Sequence, residues 1–168
     1  MRCWTVRLCV HIAVRLGLIK KGTESESKLR QAIGLSKGGL TTKVMVSCDA
    51  VGKPLEITLL PGNACELDGA DLLIPNIEAD IVIADKGFDA DARVREPLTT
   101  AGKTAVIPSK SNRKNPLPYD KQLYRLRHRI ENFFSKLKDY RAIATRYDKL
   151  ARNYLAAIHL VAGLLWIK

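Results

Sequence analysis

Polar and apolar residues alternate over Leu40–Asp49, "LTTKVMVSCD", where β-branched side chains are frequent, and a second such stretch follows at "LEITLL", Leu55–Leu60. Between them "AVGKP" offers the Gly and Pro of a tight turn, so Leu40 to Leu60 reads as a β-hairpin. Residues 20–40, polar and punctuated by Gly, read as a loop leading into it. A helix is expected within Glu66 to Leu73. The run "IVIA", Ile81–Ala84, is continuously apolar, as in a strand buried on both faces, and it delivers Asp85 at its end. Asp89 opens the next expected helix, "DADARVREPL", where an acid suits the helix dipole, and Gly102 closes that segment. "KTAVIPSK" is another short buried strand, and "SNRKNPLPYD" an exposed loop. Asp120 is placed to cap a long helix running through Tyr140, and Leu150 to Trp166 forms a last, largely apolar helix. The order hairpin, helix, strand, helix, strand, helix, helix describes an α/β fold, a mixed sheet with helices packed on it.

At 168 residues and 46% hydrophobic content the chain is one globular domain by prior. Its net charge of +11 is uneven. Residues 101–152 hold 14 Lys and Arg against 4 acids, while residues 40–100 hold 5 basic residues against 11 acidic ones. This division suits a polyanion held on one side and cation binding or acid chemistry on the other. Cys3, Cys9, Cys48 and Cys65 include no CxxC pair and no His at zinc spacing, which argues against a metal knuckle or a disulfide framework and for a cytosolic chain. The apolar N-terminus is interrupted by Arg7, His11 and Arg15 and is not read as a signal peptide. "YLAAIHLVAGLLWI" is shorter than the ~20 residues of a membrane span and reads as a buried helix.

A carboxylate at the C-terminal tip of a buried central strand is where open α/β sheets place ligand chemistry, and Asp85 stands there; a turn-forming Asp before Lys86 and Gly87 is the equal alternative. On the long helix Tyr124, Arg127 or His128, Glu131, Phe134 or Ser135, and Lys138 share one face. Glu131 is a single acid among Arg125, Arg127, Arg129, Lys136 and Lys138. Either it forms a solvated pair with Arg127 or Arg129, worth ~0.2 to 1 kcal/mol, or it converges with Asp85 on Mg²⁺, which takes oxygen ligands and keeps waters that substrate phosphates replace. In the second case the flanking cations hold a phosphodiester backbone against the site.

The series Tyr124, two residues, Arg127, three residues, Glu131, six residues, Lys138 resembles the Y-R-E-K signature of bacterial insertion-sequence transposases of the DDE type, the four/five group. "ADKGFDAD" is similar to the segment around their second catalytic Asp, and "SKGGLTTK" with "DAVGKPLEITLLPG" to their preceding hairpin; the likeness runs from about Lys20 to Lys168. It implies an RNase H-like fold, Mg²⁺ or Mn²⁺ as cofactor, and cleavage and strand transfer at the ends of a mobile element. It makes Asp85 and Glu131 the second and third catalytic acids and metal ligands, and Tyr124, Arg127 and Lys138 the DNA-contacting residues, with Arg125 and Arg129 beside them. The implied partners are the element's terminal inverted repeats and target DNA, bound by a homodimer, at the nucleoid in the cytoplasm and away from membranes.

The family's first catalytic Asp, in a stretch like D-G-S-T-V-x-A-H, has no counterpart in "MRCWTVRLCVHIAVRLGLIKKG". Asp49 is not its substitute, because it opens the turn "DAVGKP", where Asp bonds locally. One permitted codon choice for residues 1–21, read from its third base, gives Ala-Leu-Leu-Asp-Gly-Ser-Thr-Val-Arg-Ala-His, with the Asp encoded across Trp4 and Thr5. Residues 1–20 are therefore read as a frameshifted, non-family segment, and 21–168 as an incomplete catalytic domain. Its N-terminal strand is then missing or replaced, with residues 1–19 poorly packed or imitating that strand. The alternative function is a catalytically dead DNA-binding fragment that uses the basic helix alone.

Overall fold

The computed structural model describes the backbone of residues 6–16 and the whole of residues 31–167. These gather into two compact units, residues 6–10, 47–56 and 65–132 in the first and 11–16, 31–46, 57–64 and 133–167 in the second.

In the first unit the start of β1 (Val6–Leu16) runs parallel to β5 (Ile81–Ala84), Val6 opposite Ile81 and Cys9 opposite Ala84. On its other edge β5 runs parallel to β6 (Thr104–Val106), with Ile81 opposite Thr104 and Ile83 opposite Val106. A parallel strand with neighbours on both edges and helices near its faces must be apolar throughout, and all four β5 residues are buried. Helix α1 (Glu66–Leu73) buries Gly69, Ala70 and Leu73. It begins where the Asp68 carboxylate accepts from the Cys65 N–H at 3.0 Å, and Glu66 and Asp68 complement the positive end of its dipole. After β5 come a 3₁₀ turn, Lys86–Phe88, a wide π-type turn, Asp91–Arg95, and α2 (Glu96–Thr100), in which Pro97 occupies the first turn and Leu98 is buried. Each large side chain buried in this way contributes ~1.5 to 3 kcal/mol of transfer free energy.

Strands β3 (Gly39–Asp49) and β4 (Pro54–Pro61) pair as the hairpin expected. Its tip lies in the first unit. The Asp49 carboxylate accepts from the N–H groups of Val51 and Lys53, both at 2.9 Å, and Gly52 takes φ +92°, which a residue without Cβ adopts without strain. Asp49 is thus a turn former.

In the second unit β2 (Gly34–Ser36) is antiparallel to β3, Gly34 opposite Thr41 and Ser36 opposite Gly39. The end of β1 runs parallel to β7 (Thr145–Arg146), Arg15 opposite Thr145 and Leu16 opposite Arg146. Helix α6 (Ala151–Ile167) buries Tyr154, Ile158, Val161 and Ala162, a stripe at helical period. Arg146 is fully buried: its Nε donates to Asp148 O at 2.9 Å, Nη1 to Thr42 Oγ1 at 2.6 Å and Nη2 to Lys149 O at 3.1 Å, with the guanidinium 5.0 Å from the Tyr154 ring centre. Among the described residues no helix is long and apolar enough to cross a membrane.

The mixed sheet, hairpin, α1, β5, β6 and last helix stand where the hydrophobic pattern puts them. Three expectations change. The stretch read as a loop to residue 40 ends in β2, because Gly39, at φ +96°, turns the chain tightly enough to pair Ser36 across it. The long helix is divided: α3 (Lys121–Tyr124), a 3₁₀ turn over Arg125–Arg127, α4 (His128–Lys138), then a separate short α5 (Arg141–Ala144) after extended Tyr140. The helical segment expected to open at Asp89 begins two residues later, at Asp91, and Asp89 is a buried carboxylate. The N-terminal segment, read as lacking the family strand or imitating it, forms β1, whose sequence "VRLCVHIAVRL" contains no acid; how its side chains pack lies outside the described residues.

Candidate active site

The site is built in the first unit from the tip of β5 and the start of α4. Burial of Ile81–Ala84 fixes β5, and Asp85 leaves it in extended conformation, φ −66° and ψ 159°. Its carbonyl accepts from the Phe88 N–H at 2.9 Å, and buried Phe88 anchors the turn that follows. The Asp85 carboxylate is thereby fixed at a strand end, with its side chain 26% exposed.

Glu131 and Arg127 come from the other side. Asp120 caps α3 as its sequence position suggests, accepting from Gln122 N at 2.7 Å and Leu123 N at 3.0 Å. The 3₁₀ turn then carries Arg127 into α4, whose first turn holds Glu131. Arg127 Nη1 lies 2.9 Å from Asp85 Oδ1, and Arg127 Nη2 lies 2.7 Å from Glu131 Oε1, so a single guanidinium joins both carboxylates. Tyr124, one turn earlier, places its ring centre 5.4 Å from the same guanidinium and meets Tyr119 edge-on at 5.4 Å. Burial opposes the charge on Arg127, but Asp85, Tyr124 and Glu131 outweigh it and hold the guanidinium above its ordinary pKa. Burial also raises the Tyr124 phenol, which Arg127 only partly offsets.

Asp85, Tyr124, Arg127 and Glu131 are therefore brought together. Arg125 is exposed on the 3₁₀ turn. Arg129 lies under the hairpin tip, where a Cβ on Gly52 would come 3.2 Å from its Cβ, and its Nε is buried without a hydrogen bond. Lys138 is exposed at the end of α4 and belongs to the second unit. Arg127, expected as a DNA contact or as a pair partner of Glu131, is paired here with both Glu131 and Asp85. The competing attraction of two carboxylates within reach of one side chain has drawn it into the acidic pair.

The donor set suits a hard cation: two carboxylates already converge on one positive charge, and Mg²⁺ is commonly held by one or two carboxylates with the remaining positions open to water or phosphate. Among the described residues no group of three His, Cys, Asp or Glu is placed to hold a metal ion.

A second cluster escaped sequence reasoning. Asp89, its side chain 1% exposed, accepts from Arg95 Nε and Arg113 Nη1, both at 2.8 Å, and from the Lys110 N–H at 2.8 Å. Arg113 Nη2 reaches Asp91 at 2.7 Å, and Arg95 Nη2 reaches Ile107 O at 2.8 Å. The loop after β6 is thus pinned to the segment that follows Asp85. The i,i+4 spacing of Asp91 and Arg95 was legible, but that contact is the long one, 4.0 Å; an Arg within a Pro- and Asn-rich loop carries no sequence signal of its carboxylate.

Comparison with known proteins gives three findings. One is a protein named "Putative transposase for insertion sequence element IS6501" from Brucella ovis (strain ATCC 25840 / 63/290 / NCTC 10512), which is 35% identical over 130 residues, 77% of this chain and 100% of that protein. Among solved structures, the Mos1 transposase paired-end complex with left transposon end is similar at a TM-score of 0.38 and 13% identity, over 84% of this chain and 56% of that one. The third is the family described as Transposase DDE domain, which matches residues 22–166. With most of its length matched, the chain belongs to the DDE transposase domain family, enzymes that cleave and transfer DNA strands.

Proposed function

We propose that this chain is the catalytic part of an insertion-sequence transposase of the four/five group, with an RNase H-like fold, acting on the terminal inverted repeats of its element and on target DNA, and working as a homodimer. The observation that carries this reading is the convergence of Asp85 and Glu131 on one guanidinium, 2.9 and 2.7 Å away. Two carboxylates, one from a strand tip and one from a helix, that share a single cationic partner support a reading in which they share a divalent cation.

Asp85 and Glu131 would hold Mg²⁺ or Mn²⁺. The ion, when bound, supplies activation of an attacking oxygen and charge stabilisation of the leaving one in displacement at phosphorus. The protein side chains position the DNA. Arg125 and Lys138, both exposed, neutralise phosphates, as does Arg129 where its guanidinium reaches them. Tyr124 packs behind Arg127. The test is Mg²⁺-dependent nicking of duplex DNA carrying the element's ends: the chain nicks, and Asp85→Asn and Glu131→Gln do not.

A second reading, a DNA-binding fragment without activity, is favoured by one observation: β1 holds no acid, and among the described residues no third ligand joins the pair. It accords with a frameshifted origin for residues 1–20, in which the first Asp was lost across Trp4 and Thr5. Salt-sensitive binding without nicking supports this reading. Sequencing the gene upstream of Lys21 tests the frameshift, which is rejected if no frame there encodes the Asp-Gly-Ser-Thr-Val segment.

A further inference from the structure

Resting on the reading of Asp85 and Glu131 as metal ligands, we infer that Arg127 is an exchangeable internal counter-ion: it occupies the cation position between them until a divalent metal displaces it, and the displaced guanidinium then takes a DNA phosphate.

The geometry leads there in three steps. Asp85 and Glu131 are like charges that both lie within reach of one guanidinium, and two such charges facing one another are unfavourable unless a cation lies between them. Arg127 supplies that cation, one Nη to each carboxylate, and its planar fork is suited to spanning two acceptors. A divalent ion entering between the same two carboxylates meets a fixed positive charge and oxygens already in use, so its binding is an exchange rather than an addition. The lock is firm at Asp85, which sits on the rigid end of β5, and weak at Glu131, whose side chain is 51% exposed and whose i,i+4 pair with Arg127 lies largely in water. Opening therefore starts at Glu131.

The released side chain stays nearby. The Tyr124 ring, centred 5.4 Å from the guanidinium, is itself half-buried and offers a cation–π seat, so Arg127 need only pivot over the ring to present its donors outward. Metal and DNA then bind with positive coupling, and the coupling is reciprocal: each raises the affinity for the other by the same factor. A metal-free chain has Arg127 withdrawn from phosphate, which restrains binding of DNA by an unloaded site.

The experiment measures Mn²⁺ alone on the full chain, by electron paramagnetic resonance of the free ion at fixed ionic strength, for the unaltered protein and for Arg127→Gln, Arg127→Ala, Asp85→Asn and Glu131→Gln. Exchange predicts that the Arg127 variants bind Mn²⁺ about tenfold more tightly, while the two carboxylate variants lose it. In parallel, the salt dependence of binding to a duplex is measured with and without Mn²⁺. The slope of log K against log salt should steepen by about 0.9 with metal in the unaltered protein and stay constant in Arg127→Gln. If the neutral variants fail to fold, Arg127→Lys, which keeps the charge but replaces the fork with a point donor, should show the same direction with a smaller gain. Should Arg127→Gln bind Mn²⁺ no more tightly while Asp85→Asn still abolishes it, the metal site stands and the exchange is refuted, the ion using the other carboxylate oxygens. Should Asp85→Asn and Glu131→Gln leave Mn²⁺ binding unchanged, or should the unaltered chain bind none, the metal reading itself falls and the exchange falls with it.

Discussion

Arg113 reaches back from the polar loop after β6 to set its Nη1 2.8 Å from Oδ1 of Asp89, four residues beyond Asp85. That contact makes a surface loop part of the frame that holds the site. Asp89 is buried, and burial alone would raise its carboxyl, but the Lys110 N–H, Arg95 and Arg113 outweigh it and keep the group below its ordinary value. A carboxyl with a lowered folded pKa stabilises the protein above its unfolded value, near 3.9, and loses that contribution as pH falls through the folded one. Asp89→Asn should therefore be less stable than the unaltered chain at pH 7, by about 2 kcal/mol. The difference should shrink between about pH 5 and pH 2. Urea unfolding midpoints across that range provide the check, and a difference independent of pH would show that Asp89 acts through shape alone.

Among the described residues Arg146 is the largest fully buried side chain, held by carbonyls and Thr42 rather than by a carboxylate in the contacts described. Burial lowers its pKa. Arg146→Ala leaves Thr42 Oγ1 and the carbonyls of Asp148 and Lys149 without this donor and opens a cavity over Tyr154, so a loss of about 3 kcal/mol is expected. Thr42→Val, which removes one hydroxyl and keeps the volume, should cost about 1 to 2 kcal/mol. Thermal unfolding distinguishes the two, and equal losses would place the whole effect in the Thr42 contact.

Gly52 at φ +92° sits at the hairpin tip against Arg129, where a Cβ would come 3.2 Å from Arg129 Cβ and 3.3 Å from its carbonyl oxygen. Gly52→Ala combines left-handed backbone strain with that close approach and should destabilise by about 1 to 2 kcal/mol. Gly163→Ala, where nothing lies within 4 Å of the new Cβ and the residue is inside α6, should instead be neutral or stabilising by up to about 1 kcal/mol. Denaturant midpoints of the pair test the contrast.

For DNA binding without metal, Arg125→Ala and Lys138→Ala should each lower the salt slope by about 0.9, because both side chains are exposed. Arg127→Ala should lower it little, since its guanidinium is engaged by Asp85 and Glu131. Glu131→Ala removes a negative charge and frees Arg127, so binding should hold or strengthen. A loss of binding in Glu131→Ala equal to that in Arg125→Ala would make Glu131 a structural ion-pair partner and not a ligand.

The sequence by itself determined what neighbours along the chain decide. Four apolar residues in a row made β5 and put Asp85 at its tip; alternation made the hairpin; Asp120 capped a helix; and i,i+4 spacing set Arg127 beside Glu131. These follow from the periods of strand and helix, which any local window contains. Only the tertiary structure decided that Arg127 also meets Asp85, that Arg113 closes on Asp89, and that Arg146 is buried under Tyr154. Each of these joins segments distant in sequence, and each places a charged side chain where composition would leave it in water. The fold compensates that desolvation with partners whose identity depends on how the chain closes. The division of the long helix at Arg125–Arg127 belongs to the same class: its residues are good helix formers, and no local signal requires the tighter turn that carries Arg127 toward Asp85.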